Sequence, residues 1–125
     1  RGARSTVQPM WHVQLTSKIS GAVLTAVRPR YEGSITVDAA ILSAAGIAPF
    51  EQVHVLNLNS GARFETYAIT GRRGVVELNG PASRLGMPGD ELTILAYGLA
   101  PAGEAAHPRI VTLRGRNRIA RIRTP

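Results

Sequence analysis

The sequence predicts a mainly β protein, a compact barrel of short strands with short helices. Two observations carry this. Short β-rich runs recur along the chain, among them Val13–Ile19, Gln52–Asn59, Ala62–Ile69 and Glu91–Gly98. Turn signals built on Gly, Pro, Asn and Ser separate them at regular intervals, which favours a barrel over a sandwich of long strands. At 125 residues the chain is expected to be a single domain over 1–125. That length buries a real core without a metal or disulfide staple.

The elements follow in order. Val13–Ile19 and Ala22–Val27 are β-rich, and Ser20-Gly21 between them reads as a turn. Arg30–Gly33 is a tight connection and Ser34–Val37 a short strand. Asp38 caps a predicted helix over Ala39–Ala45, Gly46 ends it, and Ile41, Leu42 and Ala45 form its apolar face. Gln52–Asn59 and Ala62–Ile69, joined by Asn59-Ser60-Gly61, form a hairpin in which Val53 and Val55 alternate with His54. Gly71–Gly74 turns the chain into Val75–Leu78. Asn79-Gly80-Pro81 is a turn leading to a helical turn through Leu85. Met87–Asp90 is another turn, and Glu91–Gly98 a strongly apolar strand. Ala100–His107 reads as a loop or weak helix, and Arg109–Leu113 and Arg118–Arg123 as the last strands.

Composition removes several function classes. Without cysteine there is no thiolate nucleophile, disulfide or cysteine zinc site. No apolar run approaches the roughly 18 residues that span a bilayer, and the N-terminus does not read as a signal peptide. A soluble cytoplasmic protein without membrane partners is expected. The net charge is +7. Arg109, Arg114, Arg116, Arg118, Arg121 and Arg123 crowd the C-terminal end, but no aromatics interleave with them. A solvated basic surface is therefore expected ahead of a nucleic-acid site.

Ordinary catalytic sets are missing. His12, His54 and His107 are far apart and make no metal pair, so each reads as structural or surface. No carboxylate pair suggests acid–base work, and Asp38 and Asp90 read as cap and turn residues. No phosphate-binding loop or dinucleotide fingerprint is present. No metal is expected.

One tetrapeptide remains, Tyr31-Glu32-Gly33-Ser34. It reads as a turn, or as a bond that the protein cuts in itself. Three further segments bear on the choice: Asn59-Ser60-Gly61-Ala62-Arg63-Phe64-Glu65-Thr66-Tyr67-Ala68-Ile69, Asn79-Gly80-Pro81-Ala82, and Pro88-Gly89-Asp90 leading to Ile94–Tyr97. Lys18 precedes Ser34 by sixteen positions. In this order and spacing, from about Met10 to about Val111, the chain resembles the pyruvoyl-dependent aspartate 1-decarboxylases, which make β-alanine for pantothenate.

The resemblance implies a six-stranded double-psi β-barrel and a homotetramer with active sites between subunits. It implies autocatalytic cleavage of a zymogen into a β chain ending at Gly33 and an α chain beginning at Ser34. Ser34 would become a pyruvoyl group that forms a Schiff base with L-aspartate. Glycine at 33 has no Cβ and brings its carbonyl to the hydroxyl at low steric cost. Thr66 matches the residue that stabilises the processing intermediate. Arg63 matches the one that binds a substrate carboxylate, for which a guanidinium fork is suited. Lys18 would be a second cation. Tyr67 matches the proton donor, and Asn79, Gly80, Pro81 and Ala82 would hold the intermediate. Each also has a plain reading: Lys18 and Arg63 as surface cations, Thr66 and Tyr67 as strand residues, Asn79-Gly80 as a turn.

The chain departs from the family at two places. Ser20-Gly21 stands where relatives usually carry His-Arg, and Pro81, which has no N–H, where they usually carry alanine. Arg1–Pro9 precedes the point where relatives begin, and reads as an extension or tag. Two function classes stay open. One is the decarboxylase, acting on L-aspartate or a related amino acid. The other is an uncut double-psi barrel that binds through its basic surface. A chain needing a separate maturation protein would also remain uncut.

Overall fold

Alternation between buried and exposed side chains sets the architecture. In β4 (Gln52–Asn57), Val53 and Val55 are fully buried and His54 and Leu56 face the other way. The same two-residue period, imposed by the pleat, brings Ile35 and Val37, Val76 and Leu78, and Ile94 and Ala96 into one core. The computed structural model describes residues 10–125. The expectation for Arg1–Pro9 lies outside them.

The remaining elements are β1 (Trp11–Val23), β2 (Ala26–Arg28), β3 (Ser34–Asp38), α1 (Ala39–Ala45), β5 (Arg63–Gly71), β6 (Val76–Asn79), a 3-10 helix (Gly80–Leu85), β7 (Glu91–Pro101), β8 (Arg109–Arg114) and β9 (Arg118–Arg123). The strands run in the order β2-β6-β3-β5-β4-β7-β1-β8-β9. Three neighbouring pairs are parallel: β1 with β8, β2 with β6 and β3 with β5. The row from β2 to β1 closes on itself through the chain, because only Leu24-Thr25 separates those two strands. Leu24 N donates to Asp90 O at 2.9 Å beside β7, and Thr25 N donates to Val76 O at 2.8 Å in β6. The result is a mainly β, barrel-like fold.

Nine strands are present among the described residues, against the six implied by the family resemblance, so that count is not confirmed. The hairpin through Asn59-Ser60-Gly61 forms as expected between β4 and β5. So does α1. Asp38 Oδ1 accepts from Ala40 N at 2.8 Å, and Ile41, Leu42 and Ala45 are buried. Ser20-Gly21 does not turn the chain. β1 runs straight through it with a bulge, pairing Ile19 with Ile94 and Ala22 with Leu92 of β7. On its other side β1 pairs in parallel with β8, Ser20 opposite Thr112. The glycine absorbs the extra residue at φ 78°, and a Cβ there would lie 2.5 Å from Leu113 O. Ala100–His107 forms no helix. Its first two residues extend β7, with Trp11 opposite Pro101, and Ala102 N donates to Met10 O at 2.7 Å.

Among the described residues no helix is long and apolar enough to cross a membrane.

Two outcomes are expected. Gly21→Ala combines a left-handed backbone with a backbone clash and costs about 2 kcal/mol or more. It should lower the urea midpoint without changing the slope. Asp90 Oδ2 accepts from Asn57 Nδ2 at 2.9 Å and from Met87 N at 3.0 Å. These bonds, the Asn57 one foremost, hold the carboxyl below its ordinary range. A depressed folded value means that this stabilisation is complete above the unfolded value, about 4. It is lost as pH falls through the lower, folded one. Below pH ~4 the urea midpoint of the wild type should therefore fall more steeply than that of Asp90→Asn.

Candidate active site

The Gly33–Ser34 bond lies where the chain enters β3, between β6 and β5. Ser34 pairs with Asn79 of β6. On the other side Ile35 pairs with Ala68 of β5, so one step back along that register brings Tyr67 level with Ser34. Ile35 and Val37 belong to the core, which leaves Ser34 and Thr36 on the opposite face of β3.

Ser34 is nonetheless only 1% exposed, and Asn79 0%. Asn79 Nδ2 donates to Ser34 Oγ at 2.8 Å and to Thr36 Oγ1 at 2.8 Å. Ser34 Oγ donates to Glu32 O at 3.2 Å. Asn79 Oδ1 is buried with no partner, the one such side-chain atom among the described residues. Buried polar atoms are nearly always paired, so an orphan acceptor beside a buried hydroxyl marks a place where a donor is wanted.

The 3-10 helix closes over this bond. Gly80 has φ 64°, and a Cβ on it would lie 2.8 Å from both Gly33 N and Tyr31 O. Only glycine lets the two backbones approach so closely. Pro81 follows, with its Cδ 3.6 Å from where a Cβ on Gly33 would stand. Ala82 is buried in the same helix. Beside the cluster, Arg28 grips Glu77 with bonds of 2.9 and 3.2 Å, which raises the guanidinium above its ordinary value.

The expected cations gather elsewhere. Arg63 starts β5, opposite Leu56, and Tyr67 lies four residues on, opposite Gln52. At about 3.3 Å per residue that is roughly 13 Å along the strand. Arg63 Nη2 lies 3.3 Å from His54 Nδ1, which accepts its hydrogen, and donates to Tyr97 OH at 3.3 Å. The His54 and Tyr97 rings meet edge to face at 4.9 Å. Together with Val13, Gln52 and Leu99 they line a groove of ≈ 480 Å³. Lys18 and His54 both pair with Leu95, one from each side, so Lys18 shares this outer face.

The structure thus brings Gly33, Ser34, Asn79, Gly80 and Pro81 together, with Tyr67 level with them on β5. Within one chain it does not bring Lys18 or Arg63 to Ser34. Thr66 pairs with the buried Val53 on the core side of β5. Among the described residues no hydrogen bond joins its hydroxyl to Gly33 or Ser34. Thr36, His54 and Tyr97 were not singled out in the sequence for a site. The alternation Ser34-Ile35-Thr36 was a usable signal for the first. The predicted hairpin was a usable signal for His54, nine residues from Arg63, whereas no sequence signal tied Tyr97 to Arg63, 34 residues away on a different strand. Among the described residues no three His, Cys, Asp or Glu side chains are grouped to hold a metal.

Known proteins match this chain over the same span. The family profile described as aspartate decarboxylase covers residues 10–120. An aspartate 1-decarboxylase of Pelotomaculum thermopropionicum is 48% identical over 118 residues, covering 91% of this chain and 89% of that protein. Aspartate 1-decarboxylase 2 of Gloeobacter violaceus is 47% identical, covering 90% of this chain and 94% of that protein. An aspartate 1-decarboxylase of Bacillus pumilus is 46% identical, covering 88% and 90%. A buried serine hydroxyl held beside a glycine peptide and a match of this extent agree, and the chain belongs to the aspartate decarboxylase family.

Proposed function

We propose that the chain cuts itself between Gly33 and Ser34 and then converts L-aspartate to β-alanine and carbon dioxide, a cytoplasmic step supplying pantothenate synthesis. The carrying observation is the sealed Ser34 hydroxyl, bonded to Asn79 Nδ2 at 2.8 Å, in a family of decarboxylases.

In the cut, Ser34 Oγ bonds to the Gly33 carbonyl carbon, the peptide C–N bond breaks, and the hydroxyl proton ends on the Ser34 nitrogen. The ester then eliminates. The Ser34 α-proton leaves, Gly33 departs as a carboxylate, and dehydroalanine remains. Water and loss of ammonia turn that into a pyruvoyl group at the head of residues 34–125. A pyruvoyl group supplies the electron sink that a departing carboxylate needs and that no side chain here offers. The surroundings would fit it: Ser34 Oγ leaves with the Gly33 carboxylate, which would free Asn79 Nδ2 to donate to an acceptor at position 34, and the unpartnered Asn79 Oδ1 suits an amine N–H.

The other residues take roles consistent with their positions. Tyr67, level with Ser34, donates the proton that replaces the lost carboxylate. Asn79 and the Gly80–Ala82 segment confine the reacting end, with Pro81 giving no N–H there. Thr66, on the core side of β5, is given its part in processing by the family likeness alone. Arg63, steadied by His54 and Tyr97, binds a substrate carboxylate, and Lys18 adds a second cation. Arg63 stands roughly 13 Å along β5 from Tyr67, a long reach for a four-carbon substrate within one chain. This favours a homotetramer in which the cations of one copy face position 34 of its neighbour.

A second reading, an uncut barrel that binds through its basic surface, draws on β9, every residue of which is exposed. Denaturing mass spectrometry separates the two. Fragments 1–33 and 34–125, the latter beginning with pyruvoyl, are expected, and Ser34→Ala should stay whole. A chain that stays whole on prolonged warming, with and without a maturation protein, overturns the enzyme. Carbon dioxide release from a panel of acidic amino acids should favour L-aspartate. Arg63→Gln should raise KM at least ~10-fold while leaving cleavage intact. His54→Ala should raise it by a smaller factor, about threefold.

A further inference from the structure

We propose that Thr36 is a positioning residue for the cut at Gly33–Ser34, acting through the side-chain amide of Asn79. This rests on the reading that the chain cuts itself.

Both N–H bonds of the Asn79 amide are used, one on Ser34 Oγ and one on Thr36 Oγ1, each at 2.8 Å. The oxygen is buried and unpartnered. A half-turn of the amide would exchange nitrogen and oxygen. The oxygen would then take both hydroxyl hydrogens, and two buried N–H groups would be left without acceptors in place of one orphan oxygen. Two hydroxyls therefore favour the observed orientation. Remove the Thr36 hydroxyl and the amide's own preference disappears, because either orientation then leaves two of its polar groups unpaired, and only the Ser34 bond to Glu32 O still separates them.

Orientation decides what Ser34 Oγ feels as it reacts. As its proton leaves, Oγ carries negative charge, which passes to the Gly33 carbonyl oxygen when the new bond forms. In the observed orientation an N–H faces the charged Oγ and stabilises it, which eases the loss of the proton. In the turned orientation a carbonyl oxygen faces it and repels it. The Ser34 O–H would also leave Glu32 O, its present acceptor at 3.2 Å. Thr36 touches no reacting atom. It selects the amide face presented to one.

The strand geometry suits the role. Ser34 and Thr36 stand two residues apart on one face of β3, and Asn79 pairs with Ser34 across the ladder. A single amide therefore reaches both hydroxyls without bending either strand.

The test is a time course of cleavage by denaturing mass spectrometry on freshly made full-length protein, with thermal melts alongside. Thr36→Val should slow the cut about tenfold, the worth of one buried hydrogen bond. Thr36→Ser should restore it. Thr36→Val placed on Asn79→Ala should cause no further loss, since the amide it acts through is gone. If Thr36→Val does not fold, Thr36→Ala against Thr36→Ser makes the same comparison. Cleavage of Thr36→Val at the wild-type rate, or an equal further loss on Asn79→Ala, overturns the proposal while leaving self-cleavage standing. A wild-type chain that never cuts overturns both.

Discussion

Everything at the candidate site depends on one cross-strand pair, Ser34 of β3 against Asn79 of β6. The pair places an amide donor 2.8 Å from a hydroxyl that is almost wholly removed from water. In water such a bond contributes little net, but in a sealed site it fixes geometry, because a lost partner leaves a buried polar atom unpaired. Any movement of β6 against β3 would disturb it. The barrel resists such movement. β3 is held on both sides, and β6 in turn carries β2 in parallel.

The ring closure through Leu24-Thr25 matters for the same reason. It ties β6 to the turn before β7 with backbone bonds of 2.8 and 2.9 Å. Asn117 adds a second tie, with its amide bonded to both the N–H and the carbonyl of Val23 and to the carbonyl of Gly74. The strand bearing Asn79 is thereby fixed to β1 as well as to β3. A core of Val, Ile and Leu fills the space behind them. The reactive segment is thus a rigid strand start covered by a rigid 3-10 helix, with Gly80 allowing the contact that a side chain would forbid.

The sheet face outside this core is divided by charge and exposure. Near Ser34 it is sealed and carries hydroxyls and an amide. From the start of β5 across β4 and β7 to β1 it is more open and carries Arg63, His54, Tyr97 and Lys18. His54 does more there than a strand residue with a plain surface role: it takes a hydrogen from Arg63 and lies 3.7 Å from Glu65. The bulge at Ser20-Gly21 lies just beyond Lys18. A glycine there lets β1 keep β7 on one edge and β8 on the other, and Leu113 O occupies the space that a Cβ would need.

The sequence by itself determined the local elements. The two-residue alternation named the core face of β4, Asp38 and Gly46 bounded α1, and Asn59-Ser60-Gly61 closed a hairpin, because each depends on neighbours within a few residues. The order of four segments also carried the family. Tertiary structure alone decided the rest. Ser20-Gly21 signalled a turn, yet two flanking strands held it extended with a bulge. Thr36 had no visible task until β6 brought an amide to it, and Arg63 met His54 and Tyr97 only once β4, β5 and β7 lay side by side. Apart from Arg63–His54, nine residues apart across the hairpin, those contacts join residues far apart in sequence, and their register is set by how the whole barrel closes, which no local pattern records.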